Sequence, residues 1–356
     1  MESFRIIGLM SGTSLDGVDL ADVQLKHQSQ GWNFSLINYE TIEYSSDLLA
    51  RLNKIHSSSA AEIFQLNADL GAYYGKLINQ FIEKFKIERP LITAVASHGH
   101  TAFHQPEKGY TTQLGIGPEG ALISKLKWIT DFRSKDVALG GNGAPLVPIG
   151  DRDLFQNKAD AFVNLGGFSN LSYTKENNTQ AFDICPVNIV LNHFANKIAG
   201  QSFDKNGQLG RSGKVDPTLL EKMNNLPYYS TLPPKSLGVE WLTNEFFPLI
   251  DEKLNTRAII ATCYEHIAIQ IVQTLNSVKA NKTLFTGGGA FNTFLLEKIQ
   301  KHYKREIIIP NNEIINFKEA IIFAYLGLLR LENKTNVLCS VTGAKEDSCS
   351  GIIHLP

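Results

Sequence analysis

Ten residues near the start, Met10-Ser-Gly-Thr-Ser-Leu-Asp-Gly-Val-Asp19, combine hydroxyls, glycines and carboxylates at a spacing suited to gripping phosphate. Gly12 and Gly17 take positive φ at no steric cost, so main-chain N–H groups converge on an anion while Ser11, Thr13 and Ser14 add hydroxyl donors. Asp16 and Asp19 repel bare phosphate, but they fit a Mg²⁺ ion lying between carboxylate and phosphate, which is commonly held by one or two carboxylates plus phosphate oxygens. The competing reading is an ordinary hairpin whose carboxylates cap the turn.

Two more glycine turns follow the same logic. Gly166-Gly-Phe-Ser-Asn-Leu-Ser172 comes after the apolar Ala161-Phe-Val-Asn-Leu165, and Thr286-Gly-Gly-Gly-Ala290 comes after Thr283-Leu-Phe285 and before a predicted helix near 292–301. Gly287, Gly288 and Gly289 let a flat adenosine approach the backbone, and the helix N-terminus favours an anion. Gly213-Lys214 is not a P-loop, because Val215 follows it and Gln208 stands where that loop needs glycine. Asn292 occupies the third glycine position of a dinucleotide fingerprint, which argues against a dehydrogenase. His98, His100 and His104 lack the spacing of a transition-metal site. Asp183 ends a predicted strand, where a carboxylate also serves as an ordinary turn cap. Glu319 opens an apolar helix, so stabilisation of the helix dipole and contact with nucleotide compete as its role.

The elements that must position these groups read as strand, turn, strand over 6–25, further β-like sequence to Tyr44, and helices over 48–56 and 60–85. Leu66, Leu70, Tyr73, Leu77, Phe81 and Phe85 recur at helical spacing. A strand over 91–96 follows. Beyond a Gly/Pro-rich loop, Gly140–Pro148, the order repeats, with strands on either side of Gly166-Gly167, a strand ending at Asp183 and a helix over 187–198. The pattern predicts a duplicated α/β fold with one phosphate-facing turn per half and nucleotide in a central cleft. The expected division is residues 1–130 plus about 340–356 for the N-terminal domain and 131–339 for the C-terminal domain.

A chain of 356 residues exceeds what one core usually supports. With 34 basic and 35 acidic residues its formal charge is −1, which gives no electrostatic footprint for nucleic acid or an anionic membrane. Cys185, Cys263, Cys339 and Cys349 are scattered, as suits reduced thiols in the cytoplasm. No signal-peptide core is evident, and the longest apolar run, Ala320 to Leu329, is about half of what a bilayer needs and reads as a buried helix.

Taken in order, Gly8–Asp19, Ser97-His-Gly-His-Thr101, Asp131-Phe-Arg133, Gly140–Pro148, Asn164-Leu-Gly-Gly-Phe-Ser-Asn-Leu171, Phe182-Asp183 and Thr286–Gly289 closely resemble the anhydro-N-acetylmuramic acid kinases along essentially the whole chain. The resemblance implies an actin-like, ribonuclease H-like ATPase fold. It also implies a reaction in which ATP and water convert 1,6-anhydro-N-acetylmuramic acid into N-acetylmuramic acid 6-phosphate during cell-wall recycling. The residues it assigns to ATP are Gly12, Thr13, Ser14, Leu15, Asp16, Gly17, Val18 and Asp19, with Gly166, Gly167 and Gly287–Gly289. Asp16 and Asp19 would hold Mg²⁺ directly or through its waters. Asp183 matches the family's catalytic base. Ser97, His98, Gly99, His100 and Thr101 fall on the sugar side, and His104 reads as structural. Arg133 is suited either to the lactyl carboxylate of the sugar or to a surface ion pair. Ile116, Val239 and Asn192 depart from the family pattern, where aspartate, arginine and aspartate are common. The resemblance further implies a homodimer acting on a small-molecule sugar. The alternative is an ATP-binding protein of the same fold, or a pseudoenzyme, although chaperones of this fold carry an additional peptide-binding domain.

Overall fold

Gly31–Ile42 alternates between half-buried and exposed residues along its length, as an edge strand with one wet face must. It is the third strand (β3) of an antiparallel meander with Ser3–Ser11 (β1) and Val18–Gln28 (β2). The computed structural model describes residues 2–12, 15–29, 31–251 and 253–356. It divides into two units, Met1–Leu154 with Phe317–Pro356, and Phe155–Asn316.

In the first unit Ala94–Gln105 (β4) pairs parallel to β1, and Tyr110–Leu114 (β5) pairs with β4. Trp128–Thr130 (β6) pairs parallel to β4, and the sheet order is β12-β6-β4-β1-β2-β3, with Ile352–His354 as β12. In the second unit Ala161–Leu165 (β7), Phe168–Lys175 (β8) and Asn178–Pro186 (β9) form another antiparallel meander. Lys282–Thr286 (β10) pairs parallel to β7, and Glu306–Ile308 (β11) pairs parallel to β10. Counted from the meander edge, both sheets run third strand, second, first, then two strands parallel to the first. This shared order is the duplication expected from the paired glycine turns, and it is the actin-like arrangement.

Helix Ala60–Lys84 starts at a capping box in which Ser59 and Glu62 satisfy each other's backbone N–H groups. Its stripe buries Leu66, Leu70, Leu77 and Phe81 as the spacing predicts, but Tyr74 is the fully buried tyrosine, while Tyr73 is half-buried. Helix Thr256–Ser277 is buried in the second unit's core, with Ile260, Tyr264, Ile267 and Ile271 packed there. It is long and apolar enough to cross a membrane, yet 78% of its apolar window is buried.

The chain returns to the first unit at Phe317, and the segment after 130 stays with that unit to Leu154, whereas the sequence suggests a return near 340 and a boundary near 131. Two contacts explain the difference. Helix Asn312–Leu331 lies on the first sheet, so close that a Cβ at Gly8 of β1 would sit 1.8 Å from the Ala320 carbonyl oxygen and one at Gly327 would sit 2.5 Å from Ala96 Cβ of β4. Asp136 is the second anchor. Its Oδ2 accepts from Gly143 N at 2.7 Å and its Oδ1 from Thr342 Oγ1 at 2.7 Å, which ties both connecting segments into one buried network.

Candidate active site

The first unit's turn joins β1 to β2, where Gly12 O accepts from Leu15 N at 3.4 Å and Leu15 has φ of 61°. Thr13 and Ser14 lie outside the described residues. Asp19, opposite Met10 in the register, is half-buried, and its Oδ1 accepts from Thr41 Oγ1 at 2.6 Å. Burial raises the Asp19 pKa, Thr41 opposes that shift and nearby Asp16 adds to it. A desolvated carboxylate with one neutral donor and a second carboxylate close by is relieved by a hard cation with oxygen ligands, so these residues fit Mg²⁺. Ser11, expected to donate to phosphate, is fully buried instead and bonds Tyr44 OH at 2.5 Å and His100 Nδ1 at 2.9 Å.

Ser97 to Thr101 lie within β4, next to β1. At Gly99, with φ of 73°, a Cβ would meet the Leu114 carbonyl at 2.7 Å, so the left-handed bend there requires glycine. The bend accompanies a register shift that brings His100 opposite Ser11. His98 has both ring nitrogens occupied. Nδ1 lies 2.9 Å from Gly99 O, and Nε2 faces Arg133 Nε at 3.0 Å and Nη2 at 2.9 Å. Arg133 has no lone pair to offer, so Nε2 accepts, Nδ1 carries the proton, and the ring is neutral. Burial first, and then Arg133, push the His98 pKa well below its ordinary value. His100 is lowered to about 4 by burial. His104 is exposed and engages Thr111 Oγ1 at 3.0 Å through Nδ1. Among the described residues no cluster of His, Cys, Asp or Glu is arranged for a metal ion.

Arg133 also donates through Nη1 to Gly143 O at 2.6 Å, so its fork links the strand motif to the Gly140–Pro148 loop. Desolvation lowers its pKa to about 10, opposed by Glu319 and Asp136. Glu319 is accessible to solvent and has no hydrogen bond among the described residues. Desolvation nevertheless raises its pKa, with Arg133 and Lys318 opposing and Asp19 adding to the rise. The first unit therefore groups Asp19, Arg133 and Glu319 electrostatically. That Glu319 joins this group is invisible in its sequence position and follows from the seating of its helix on β1 and β4.

The second unit brings its two glycine turns together through Asn188, a residue the sequence does not single out. Asn188 Nδ2 donates to Leu165 O at 2.9 Å and its N to Gly166 O at 3.2 Å, and a Cβ at Gly288 would lie 3.7 Å from Asn188 Nδ2. Asp183 sits on β9 opposite Asn170. Leu237 N donates to Asp183 Oδ2 at 2.8 Å, Tyr228 OH donates to its carbonyl at 2.6 Å, and its own N donates to Lys235 O at 3.2 Å. Burial raises the Asp183 pKa, and the Leu237 N–H opposes that rise. Two of these three contacts use main-chain atoms of the Lys235–Leu237 segment, so side-chain chemistry in the sequence gives no sign of them. Val239, two residues beyond that segment, is 58% exposed. The four cysteines are unpaired, and burial lifts the Cys185 thiol to about 12.

Comparison with known proteins agrees along the full length. A family model described as anhydro-N-acetylmuramic acid kinase matches residues 4–356. A protein of that name from Pseudomonas fluorescens (strain Pf0-1) is 35% identical over 375 residues, covering 98% of each chain. Another from Pseudomonas syringae pv. tomato is 33% identical over 374 residues, covering 99% of each. Among solved structures, the activator of the 2-hydroxyisocaproyl-CoA dehydratase from Clostridium difficile aligns with 92% of this chain and 97% of its own, at 13% identity and a TM-score of 0.44. With its motifs in order and a family match that spans nearly every residue, the chain belongs to the anhydro-N-acetylmuramic acid kinase family.

Proposed function

We infer that the protein uses ATP to open the 1,6-anhydro bond of anhydro-N-acetylmuramic acid and to phosphorylate O6, in the cytoplasm and as a homodimer. The observation that carries the chemistry is the Asp183 carboxylate, desolvated and held at Oδ2 by Leu237 N. Its Oδ1 takes a proton from water as that water attacks the anomeric carbon. The oxygen released as the acetal opens is captured by the γ-phosphoryl group, so the second carboxyl group that ordinary glycosidases use to protonate the leaving oxygen is not needed.

The family resemblance assigns Gly12–Asp19 to the phosphates and Gly166, Gly167 and Gly287–Gly289 to the nucleotide. Asp16 and Asp19 would hold Mg²⁺, which when bound offsets charge on the β- and γ-phosphates. His100, with Nε2 free of hydrogen bonds among the described residues, and Thr101 face the sugar. His98 is the residue through which Arg133 is set toward the sugar carboxylate. Incubating the purified protein with Mg-ATP and the anhydro sugar, then searching for the 6-phosphate by mass spectrometry, tests this reading. Formation of the 6-phosphate supports it, and ATP hydrolysis without phosphorylated sugar overturns it.

A further inference from the structure

A cavity of about 630 Å³ opens in the second unit against the edge strand β9, a size in the range of small-molecule sites, roughly 300–1,000 Å³. Its walls carry Lys175, Lys235 and Lys279 and no carboxylate. Lys175 and Lys279 have no ion pair among the described residues. Lys235 Nζ donates to a carbonyl, Tyr228 O at 3.2 Å, and lies over the Tyr228 ring at 4.6 Å and the Phe182 ring at 5.8 Å, with no ion pair among the described residues. The C-terminus of helix Thr256–Ser277 also reaches the cavity, and a bare helix C-terminus repels anions. Here Val278 N caps Thr274 O and Lys279 N caps Asn276 O, which leaves the lysines to set the sign of the field. The rings of Tyr173 and Tyr229 offer flat faces, and the Gln273 amide adds a polar partner. Such walls suit a pyranose that bears a negative charge.

The same segment also reaches the base. Tyr229, Ser230, Thr231 and Lys235 wall the cavity, while Tyr228, Lys235 and Leu237 hold Asp183 by three hydrogen bonds. An anion that draws Lys235 Nζ away from Tyr228 O frees the tyrosine whose hydroxyl fixes the Asp183 carbonyl. We propose that this cavity is an effector site for an anionic monosaccharide, a sugar bearing a phosphate or a carboxylate, whose binding displaces the 228–237 segment and lowers turnover at Asp183.

Binding is measured by calorimetry on the full chain, without ATP or anhydro sugar, using glucose 6-phosphate, N-acetylmuramic acid, inorganic phosphate and uncharged N-acetylglucosamine. Trp241, whose ring lies 5.5 Å from that of Tyr228, reports displacement of the segment through its emission, assigned with Trp241→Phe. The proposal expects one of the two anionic sugars to bind and shift that emission, the phosphate arm and the carboxylate arm showing which charge is read. It expects Lys175→Met with Lys279→Met to weaken binding about tenfold or more, since each charge-assisted contact is worth at least that factor. Both lysines lie outside the catalytic group, so kcat and KM without effector stay unchanged in the double variant, while the effector lowers kcat only in the parent protein. Binding that survives in the double variant, an unshifted emission, equal binding of inorganic phosphate or the uncharged sugar, or no binding at all overturns it. The binding and emission arms need no kinase activity, so their failure is distinguishable from failure of the proposed reaction on which only the turnover arm rests.

Discussion

The main-chain N–H of Leu237 donates to Oδ2 of Asp183 at 2.8 Å and leaves Oδ1 without a hydrogen bond among the described residues. One oxygen fixes the rotamer and the other is presented. Because the fixing donor is backbone, the arrangement does not depend on which side chain stands at position 237. Asp183→Asn keeps the shape of the site but removes the proposed base. Its kcat is expected to fall about 10²–10⁴-fold with ATP binding retained, measured by product formation and by calorimetry. In the parent protein the acid limb of kcat/KM should lie above the ordinary aspartate value of 3.8, because burial raises this group. Near-normal turnover by the variant refutes the assignment.

Arg133 grips His98 and Gly143 with one planar fork, which an ammonium group cannot reproduce. Arg133→Lys is therefore expected to raise the KM for the sugar by about tenfold, the equivalent of one charge-assisted contact, with little change in the KM for ATP. Steady-state kinetics with each substrate varied in turn decides this. An unchanged sugar KM would show that the fork is purely structural.

Asp19 is desolvated and Asp16 lies near it. Removing divalent cations with a chelator should abolish turnover, and Mg²⁺ should restore it. Asp19→Asn should shift the Mg²⁺ activation curve to about tenfold higher concentration, as expected when one of few carboxylate ligands is lost. Turnover that persists in chelator removes the metal from the reaction.

Burial holds His100 at about 4 and His266 at about 3, against an ordinary value of 6.5. His266 is neutral between Tyr229 OH at 2.9 Å and Asn224 Oδ1 at 2.7 Å. Both groups have folded pKa values below their unfolded ones, so the unfolded chain takes up protons first as pH falls. Their contribution to stability is complete above pH 6.5 and drains away toward pH 4 and then 3. Tm should therefore fall across that window, and His266→Asn, although less stable at pH 7, should show a shallower decline. Parallel curves for variant and parent count against this origin.

Gly8 lets helix Asn312–Leu331 rest on β1. A Cβ there meets main-chain oxygen at 1.8 Å, which no side-chain rotation relieves. Gly8→Ala is expected to cost about 1–3 kcal/mol in urea unfolding, the usual range for overpacking. An unshifted midpoint would mean that the helix moves freely.

The sequence by itself determined the parts that depend on neighbours along the chain. Short apolar and β-forming segments placed the meander strands, helical spacing placed the helix beginning near Ala60, the glycine turns marked the strand junctions, and the repeated strand–turn–strand units announced the duplication. The motif order identified the family, because those residues answer to ligand chemistry and carry their meaning in residue type. Tertiary structure decided what depends on close approach between distant segments. Ser11 turned inward because the bend at Gly99 put His100 beside it. Residues 131–154 and 317–356 joined the first unit because Asp136 and the Gly8–Ala320 contact bind them there. Arg133 met His98, and Leu237 met Asp183, through bonds spanning 35 and 54 residues. Such pairings are selected by packing and by the need to satisfy buried polar groups, and neither is written in the spacing of residues along one strand or helix.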